Sequence, residues 1–226
     1  MSYQWENFNI KTFPAETLVY RDGVFCPELS TLAHAAVSQN YDLPVHIIYA
    51  GKIAGECRLN IDITAQNQPV FLSVHVENDL PAFLKIFVKN AGKKSELRGH
   101  VMLKNNSDLN LDIDAQHIAP ETGILIKTKL IAGQNSNSVL AGIAKIEKNA
   151  GKCRSDIGFT ALAANTAKIT FRPAQFIAST PQSAEHGAAI YRPSAPQIEY
   201  LSRAGLSGAE VKDVLREAFL NDFPLF

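Results

Sequence analysis

The middle of the chain, from about Val45 to Phe176, consists of short segments in which apolar and polar residues alternate. The segments 70–77, 109–114 and 124–129 show this period of two most clearly. The short segments as a whole recur about every 10 to 16 residues and are separated by clusters of Asn, Gly, Ser, Asp and Gln. A period of two places successive side chains on opposite faces of a strand. The pattern therefore predicts β-strands joined by short turns.

The hydrophobic period changes to about 3.6 residues near the carboxyl end, where two helices are predicted. Ser194 and Gln197 have the spacing of a capping box for the first helix, and Gly205 suits its end. Ser207 and Glu210 repeat the capping box for the second helix. This second helix carries an apolar stripe, which comprises Val211, Val214, Leu215, Ala218 and Phe219. So small a helical hairpin must pack its apolar side on another surface, within the chain or on a partner.

Short strands of this kind are compatible with two architectures, a β-sandwich and a parallel β-helix. The spacing alone leaves both open. Before these strands, Asp22 and Gly23 separate two short apolar segments, which predicts a hairpin. The chain divides accordingly into three parts: an N-terminal arm and lead-in segment (1–44), a strand-rich core (45–192) and a C-terminal helical module (193–226).

The chain of 226 residues has no formal net charge, with 22 Lys and Arg against 22 Asp and Glu. No basic cluster is present to neutralise phosphates, which argues against nucleic-acid binding and against an anionic membrane surface. The amino terminus lacks the basic and apolar segments of a signal peptide, so a cytoplasmic location is expected. Cys26, Cys57 and Cys153 are odd in number and far apart, which supports neither a disulfide framework nor a zinc knuckle.

A pair of carboxylates offers one functional hypothesis. Asp112 and Asp114 belong to one predicted strand and would project from the same face about 7 Å apart. Inverting glycosidases use two carboxyl groups at roughly 6.5–9.5 Å, so a β-helical carbohydrate-active enzyme is one alternative. A solvated strand face without chemistry is the ordinary interpretation, and a plain β-solenoid interaction module is a third hypothesis. His75 alternates with valines beside Ser73 and Glu77, so we expect it to be exposed.

Several segments resemble the SufB/SufD family of iron–sulfur cluster assembly proteins. Leu18–Ser30 resembles the opening of SufD-like chains, and Thr122–Ile146 resembles the middle turns of the family. The most specific match is Glu185–Ala188 followed by Ile198–Leu206. These two segments resemble the family's His-Gly-Ala sequence and the Phe-Tyr-Leu-x-Ser-Arg-Gly-Ile sequence that follows it.

Two positions make the resemblance closer to SufD than to SufB. Gly187 follows the histidine, whereas SufB-like members tend to carry an acidic residue there. Thr166 stands where SufB-like members place a scaffold cysteine, so the resemblance argues against sulfur acceptance by this chain.

The resemblance implies a right-handed parallel β-helix with a C-terminal α-helical hairpin and no catalysis by this chain itself. It implies a scaffold that pairs with a SufB-like chain through the end of the β-helix, with a homodimer as a further arrangement. A SufC-like ABC ATPase would bind the C-terminal helices, and its ATP-driven closure would shift the paired β-helices. No stably bound cofactor is expected, only a transient iron–sulfur cluster or iron at the interface with the SufB-like partner. The residues expected to meet the ATPase are Tyr200, Leu201, Arg203, Gly205, Leu206, Val211, Leu215 and Phe219.

His186 is the main candidate for contact with iron or a cluster. A neutral imidazole suits iron, and Glu185 is placed to ligate the metal or to orient the ring. The alternative is a histidine packed at the junction between strand and helix. Cys153, followed by Arg154, is a second candidate donor, although a buried structural role fits it better because it does not occupy the family's cysteine position.

Overall fold

The structure, a computed structural model, describes residues 16–22, 24–26, 30, 36–37 and 39–221. Residues 1–15 of the predicted N-terminal arm lie outside these ranges. The described chain forms two β-sheets followed by two helices.

Sheet A contains eight strands. They are β1 (Glu16–Arg21), β2 (Val24–Phe25), β4 (Val45–Lys52), β6 (Pro69–Asn78), β8 (Glu96–Asn105), β10 (Gly123–Ala132), β12 (Arg154–Ala163) and β14 (Ser183–Tyr191). Sheet B contains six strands. They are β3 (Ala36–Val37), β5 (Gly55–Ile63), β7 (Ala82–Asn90), β9 (Asp108–His117), β11 (Asn137–Ile146) and β13 (Lys168–Ile177). The helices are α1 (Ala195–Arg203) and α2 (Gly208–Asn221).

From β4 onward the chain passes alternately from sheet A to sheet B, so each turn contributes one strand to each sheet. Every strand from β4 to β14 pairs in parallel with the strand one turn away. The result is a β-solenoid of about six turns, and the β-helix rather than the β-sandwich is confirmed. The predicted hairpin is also present, since β1 pairs with β2 antiparallel around Asp22.

The core lies between the two sheets and is built from equivalent positions stacked along the solenoid axis. Val45, Val70, Leu97 and Ile124 occupy one such column in sheet A, and all four are buried. Each strand sends alternate residues inward, because the side-chain period of a strand is two. Burying one aliphatic side chain of this size contributes roughly 1.5–3 kcal/mol, so every added turn extends the same continuous core.

The passage from sheet B to sheet A repeats the same backbone conformation in successive turns. A residue with positive φ lies two positions before four of the sheet A strands: Asn67, Lys94, Glu121 and Lys152, with φ of 55°, 60°, 62° and 57°. None of them is glycine, although this conformation costs an L-residue roughly 1–2 kcal/mol. At Lys94, Glu121 and Lys152 the conformation therefore reflects the geometry of the corner, whereas the asparagine at position 67 favours it by itself.

The predicted helix caps are confirmed. The Ser194 side chain accepts a hydrogen bond from the Gln197 backbone N–H, and the Gln197 side chain accepts one from the Ser194 N–H. Gly205 follows α1 with a positive φ of 94° and supplies its stop. Glu210 accepts a 2.7 Å hydrogen bond from the Ser207 N–H, which completes the second capping box.

The carboxyl end of α2 packs on the outer face of sheet A. Leu220 forms a small apolar cluster with Met102 and Ile131, and Phe219 packs against it. Lys129 donates a hydrogen bond to the Phe219 carbonyl and places its ammonium 5.1 Å from the ring centre of the same residue. A cation at this position also complements the negative end of the helix dipole. Part of the apolar stripe on α2, at Phe219, therefore packs within the chain.

Candidate functional site

The carboxyl end of the solenoid is open. In the described part of the chain β14 is the outermost strand of sheet A and β13 is that of sheet B. Both strands are mostly half-buried or exposed, unlike the strands before them. Three large apolar side chains are exposed at this end: Phe176 (61%), Ile177 (49%) and Ile190 (45%). Ile177 and Ile190 continue interior columns, so the hydrophobic core itself reaches the surface here.

His186 lies in this last turn and points into the interior. It is the register partner of Ile157, which is completely buried. The Nε2 atom of His186 is buried and has no hydrogen-bond partner in the described part of the chain. Desolvation lowers the pKa of His186, with a smaller opposing effect from the Asp156 charge. The imidazole is therefore neutral near pH 7 and keeps an unused nitrogen at the open end.

Glu185 does not share a face with His186. The two residues are consecutive in β14, so their side chains project from opposite faces of sheet A. Glu185 lies exposed on the outer face beside its register partner Asp156, which forms a 2.6 Å ion pair with Lys127. The two candidates are close along the chain but are not brought together as ligands by the fold of this chain alone.

The residues expected to meet the ATPase differ widely in exposure. Tyr200 is 74% exposed, and Arg203 is exposed and forms an ion pair with Glu199 at 2.6 Å. Val211 is buried. The remaining apolar members are half-buried: Leu201, Leu206, Leu215 and Phe219. The structure thus separates this set into an exposed part on α1 and a covered part on α2.

The cysteines are free thiols with no shared site. Cys26 and Cys57 are half-buried and Cys153 is buried beside Ile146 and Ala150. Burial raises the pKa of the Cys153 thiol, so the thiolate is disfavoured. The neighbouring Arg154 forms an ion pair with Glu96. These surroundings are those of a structural cysteine.

A comparison with known protein families shows the family of this chain. Residues 82–219, more than half of the chain, match the family described as SUF system FeS cluster assembly, SufBD core domain. The chain belongs to the SufBD family. Membership gives it a role in iron–sulfur cluster assembly by the SUF system, a system that works through protein complexes. A comparison with curated proteins finds no match to the chain.

The SufBD core match extends from β7 into α2 and therefore includes the open end, His186 and both helices. All of β1–β6 precedes the matched residues. None of the helices in the described part of the chain is long and apolar enough to cross a membrane.

Asp112 and Asp114 lie on the outer face of sheet B of this SufBD chain, as the predicted strand phase requires. Asp114 forms a 2.8 Å ion pair with Lys145 and accepts a hydrogen bond from Gln116. Asp112 has Lys85 and Ala141 as its register partners in the adjacent strands. A carboxylate held by a lysine on a strand face suits charge pairing between turns better than acid–base catalysis.

Sequence reasoning missed a buried histidine group on the outer face of sheet A. It was wrong about His75, which is 5% exposed rather than solvent-accessible. His46 and His100 are also buried there, and the His46 ring lies 2.9 Å from the Ser73 hydroxyl. Burial lowers the pKa of each of the three histidines to about 4. Among the described residues no three His, Cys, Asp or Glu side chains are arranged to hold a metal ion.

Proposed function

We propose that this chain is a SufD-like scaffold subunit of the SUF system, without a catalytic reaction of its own. It pairs with a SufB-like chain through the open end of the solenoid. Its C-terminal helices bind a SufC-like ABC ATPase. A nascent iron–sulfur cluster is the cargo of the assembled complex and is built where the two solenoids meet.

The observation that carries the pairing is the uncovered core of the last turn. Ile177 and Ile190 expose interior positions at this end of the molecule, and Phe176 exposes apolar surface on the outer face of sheet B beside them. The outermost strands of both sheets lie at the same end. Exposed apolar surface and unpaired strand edges favour association with another protein. A second solenoid with a similar end can cover both at once.

The thiol chemistry supports a partner as the source of sulfur ligands. Cys153 is buried with a raised pKa, and Thr166 replaces the scaffold cysteine of SufB-like members. The Thr166 hydroxyl accepts a 2.9 Å hydrogen bond from the Asn135 N–H, which is a corner contact. Iron–sulfur clusters are held mainly by thiolates, so a SufB-like chain is expected to supply them.

His186 is the contribution we assign to this chain at the cluster. Its neutral ring offers Nε2 as a borderline donor for iron, and its place in the last turn puts that donor beside the partner. Glu185, on the other face of β14, is left with an outer role in orienting partner groups.

The proposed test is anaerobic co-expression of this chain with a SufB-like chain and a SufC-like ATPase, followed by iron and sulfide analysis of the purified complex. His186→Ala should leave the complex assembled and lower the cluster content at least several-fold. Gln175→Ala, which alters β13 in the same last turn, is the matched control and should retain it. A wild-type cluster content in His186→Ala would remove His186 from the site. Failure of the three chains to co-purify would refute the scaffold role.

A further inference from the structure

The N–H groups of β13 point alternately toward and away from the solenoid. In a parallel sheet the N–H and C=O of one residue lie on one side of the strand, and those of the next residue on the other. The Lys168 N–H donates to the Ser136 carbonyl and the Ala178 N–H to the Ile146 carbonyl, at the two ends of β13. The register with β11 is unbroken between them. The even-numbered residues of β13 therefore face β11, and the odd-numbered residues face the open side.

The backbone groups of β14 also alternate between the two sides of the strand. The Ser183 N–H donates to the Cys153 carbonyl, and the pairing with β12 continues without a break. Odd-numbered residues of β14 consequently face β12. Four residues direct their N–H and C=O groups to the open side: Ala184, His186, Ala188 and Ile190. Each of them has a backbone N–H, so this edge offers an uninterrupted row of donors and acceptors.

The edge of β13 differs in its middle residue. The residues on its open side are Ile169, Phe171, Pro173, Gln175 and Ile177. Pro173 has no N–H, and its ring occupies the space in which an added strand would place a carbonyl oxygen. Proline on the solvent side of an edge strand is one of the means by which natural sheets prevent strand addition.

We infer that a partner strand adds to β14 alone, and that Pro173 excludes β13 from backbone pairing. This inference rests on the proposed pairing with a SufB-like chain and states which half of the open end forms the continuous sheet. The exposed apolar residues of β13, among them Phe176, then contribute side-chain contacts only. His186 belongs to the edge that pairs, which sets it about 5 Å, one strand spacing, from the partner backbone.

Proline substitution at matched positions of the two edges tests the inference. Ala188→Pro removes an outward N–H from β14, and Gln175→Pro removes one from β13. We expect Ala188→Pro to raise the Kd for the SufB-like chain about tenfold or more, because one hydrogen bond is lost and the added strand is displaced by the ring. Gln175→Pro should change the Kd less than about threefold. Equal losses, a loss in Gln175→Pro alone, or no loss in either would overturn the inference.

Amide hydrogen exchange of the wild-type complex gives a second measurement that needs no variant. On binding, the amides of Ala184, His186, Ala188 and Ile190 should gain protection, whereas those of Ile169, Phe171, Gln175 and Ile177 should not. Protection of the β13 amides would overturn the inference while leaving the pairing itself intact. A wild-type chain that does not bind the SufB-like chain at all would instead refute the proposed function, so the two failures are distinguishable.

Discussion

Equivalent interior positions are buried in the middle turns of the solenoid but exposed in its last turn. Leu130 in β10, Ala161 in β12 and Ile190 in β14 occupy one interior column. Leu130 and Ala161 are completely buried, whereas Ile190 is 45% exposed. The side chains are all apolar, so residue type does not explain the difference. What differs is whether a further turn lies on top.

The difference in burial predicts that middle positions contribute mainly to folding stability and that positions in the last turn contribute mainly to binding. A middle position is enclosed by turns on both sides and contributes its apolar surface to folding. A position in the last turn has one such neighbour, and its other side is uncovered. Substitutions in the two regions should therefore have distinct signatures.

The sharpest test of this separation uses two residues of that one column. Leu130→Ala should lower the free energy of unfolding by about 2–5 kcal/mol, because it creates a cavity in a closed core. Ile190→Ala should lower it by less than about 1 kcal/mol and should weaken binding to the SufB-like chain instead. Urea unfolding measures the first effect, and a binding titration measures the second. Similar losses of stability in both variants would contradict the separation.

Acidification should destabilise the protein more through histidines of the middle turns than through His186 of the last turn. Burial lowers the pKa of His117, an interior residue, to about 4, and its ring bonds Thr122 at 2.9 Å. Between this value and the ordinary pKa of about 6.5 the unfolded chain binds the proton and the folded chain does not. Stability is therefore full above pH 6.5 and is lost as the pH falls toward 4, with about 1–2 kcal/mol lost from this histidine at pH 5.

The measurement is urea unfolding at pH 7 and pH 5, with His117→Asn as the variant that lacks the titrating group. The free energy of unfolding of this variant should fall less between pH 7 and pH 5 than that of the wild type. His186→Asn is the comparison from the open end, and it should change the pH dependence less because His186 is only half-buried. An unchanged pH dependence in His117→Asn would show that this ring does not titrate as described.

The helical module repeats the contrast between covered and uncovered residues. Phe219→Ala should cost about 1–2 kcal/mol, since the ring packs on Leu220, Met102 and Ile131 and contacts the Lys129 ammonium. Tyr200→Ala should leave stability unchanged within about 0.5 kcal/mol and weaken binding of the SufC-like ATPase. Thermal unfolding and an ATPase-binding assay separate the two. Unchanged ATPase affinity in Tyr200→Ala would remove this face of α1 from the proposed interface.

The smallest expected effect concerns a corner rather than the core. Lys152 has a positive φ of 57° and is exposed, so asparagine should suit the backbone better there. Lys152→Asn should raise the free energy of unfolding by a few tenths to about 1 kcal/mol. Lys148→Asn, at an exposed position without positive φ in the same connection between β11 and β12, is the control and should give no gain. A similar gain in both variants would indicate that the loss of charge, not the backbone conformation, is responsible.

Much of the fold was predictable because local patterns and long-range packing agree. The period-two segments became strands with the expected inward residues, and the two capping boxes became helix starts. The repeat was harder to recognise. Val70, Leu97 and Ile124 are 27 residues apart, but the next step in that column, to Ser155, is 31 residues. Corners of variable length obscure a period that hydrogen bonding between turns keeps in register.

The candidate site was predictable only in part. The resemblance pointed to His186, and the strand phase then determines that Glu185 projects from the other face. The burial of His75 could not be inferred, because alternation distinguishes the two faces of a strand and says nothing about what covers the outer one. The corner residues Lys94, Glu121 and Lys152 gave no signal either, since they lack the side chains that favour positive φ.

From its residues alone, the chain specifies strands of known phase, two capped helices and membership in a family by resemblance, because these depend on neighbours close along the chain. The stacking of turns alone decides which turn stays uncovered. It also decides which nitrogen of His186 lacks a partner and which edge Pro173 blocks. Stacking joins residues about 30 positions apart, and burial is a property of everything that surrounds a side chain rather than of the residue itself.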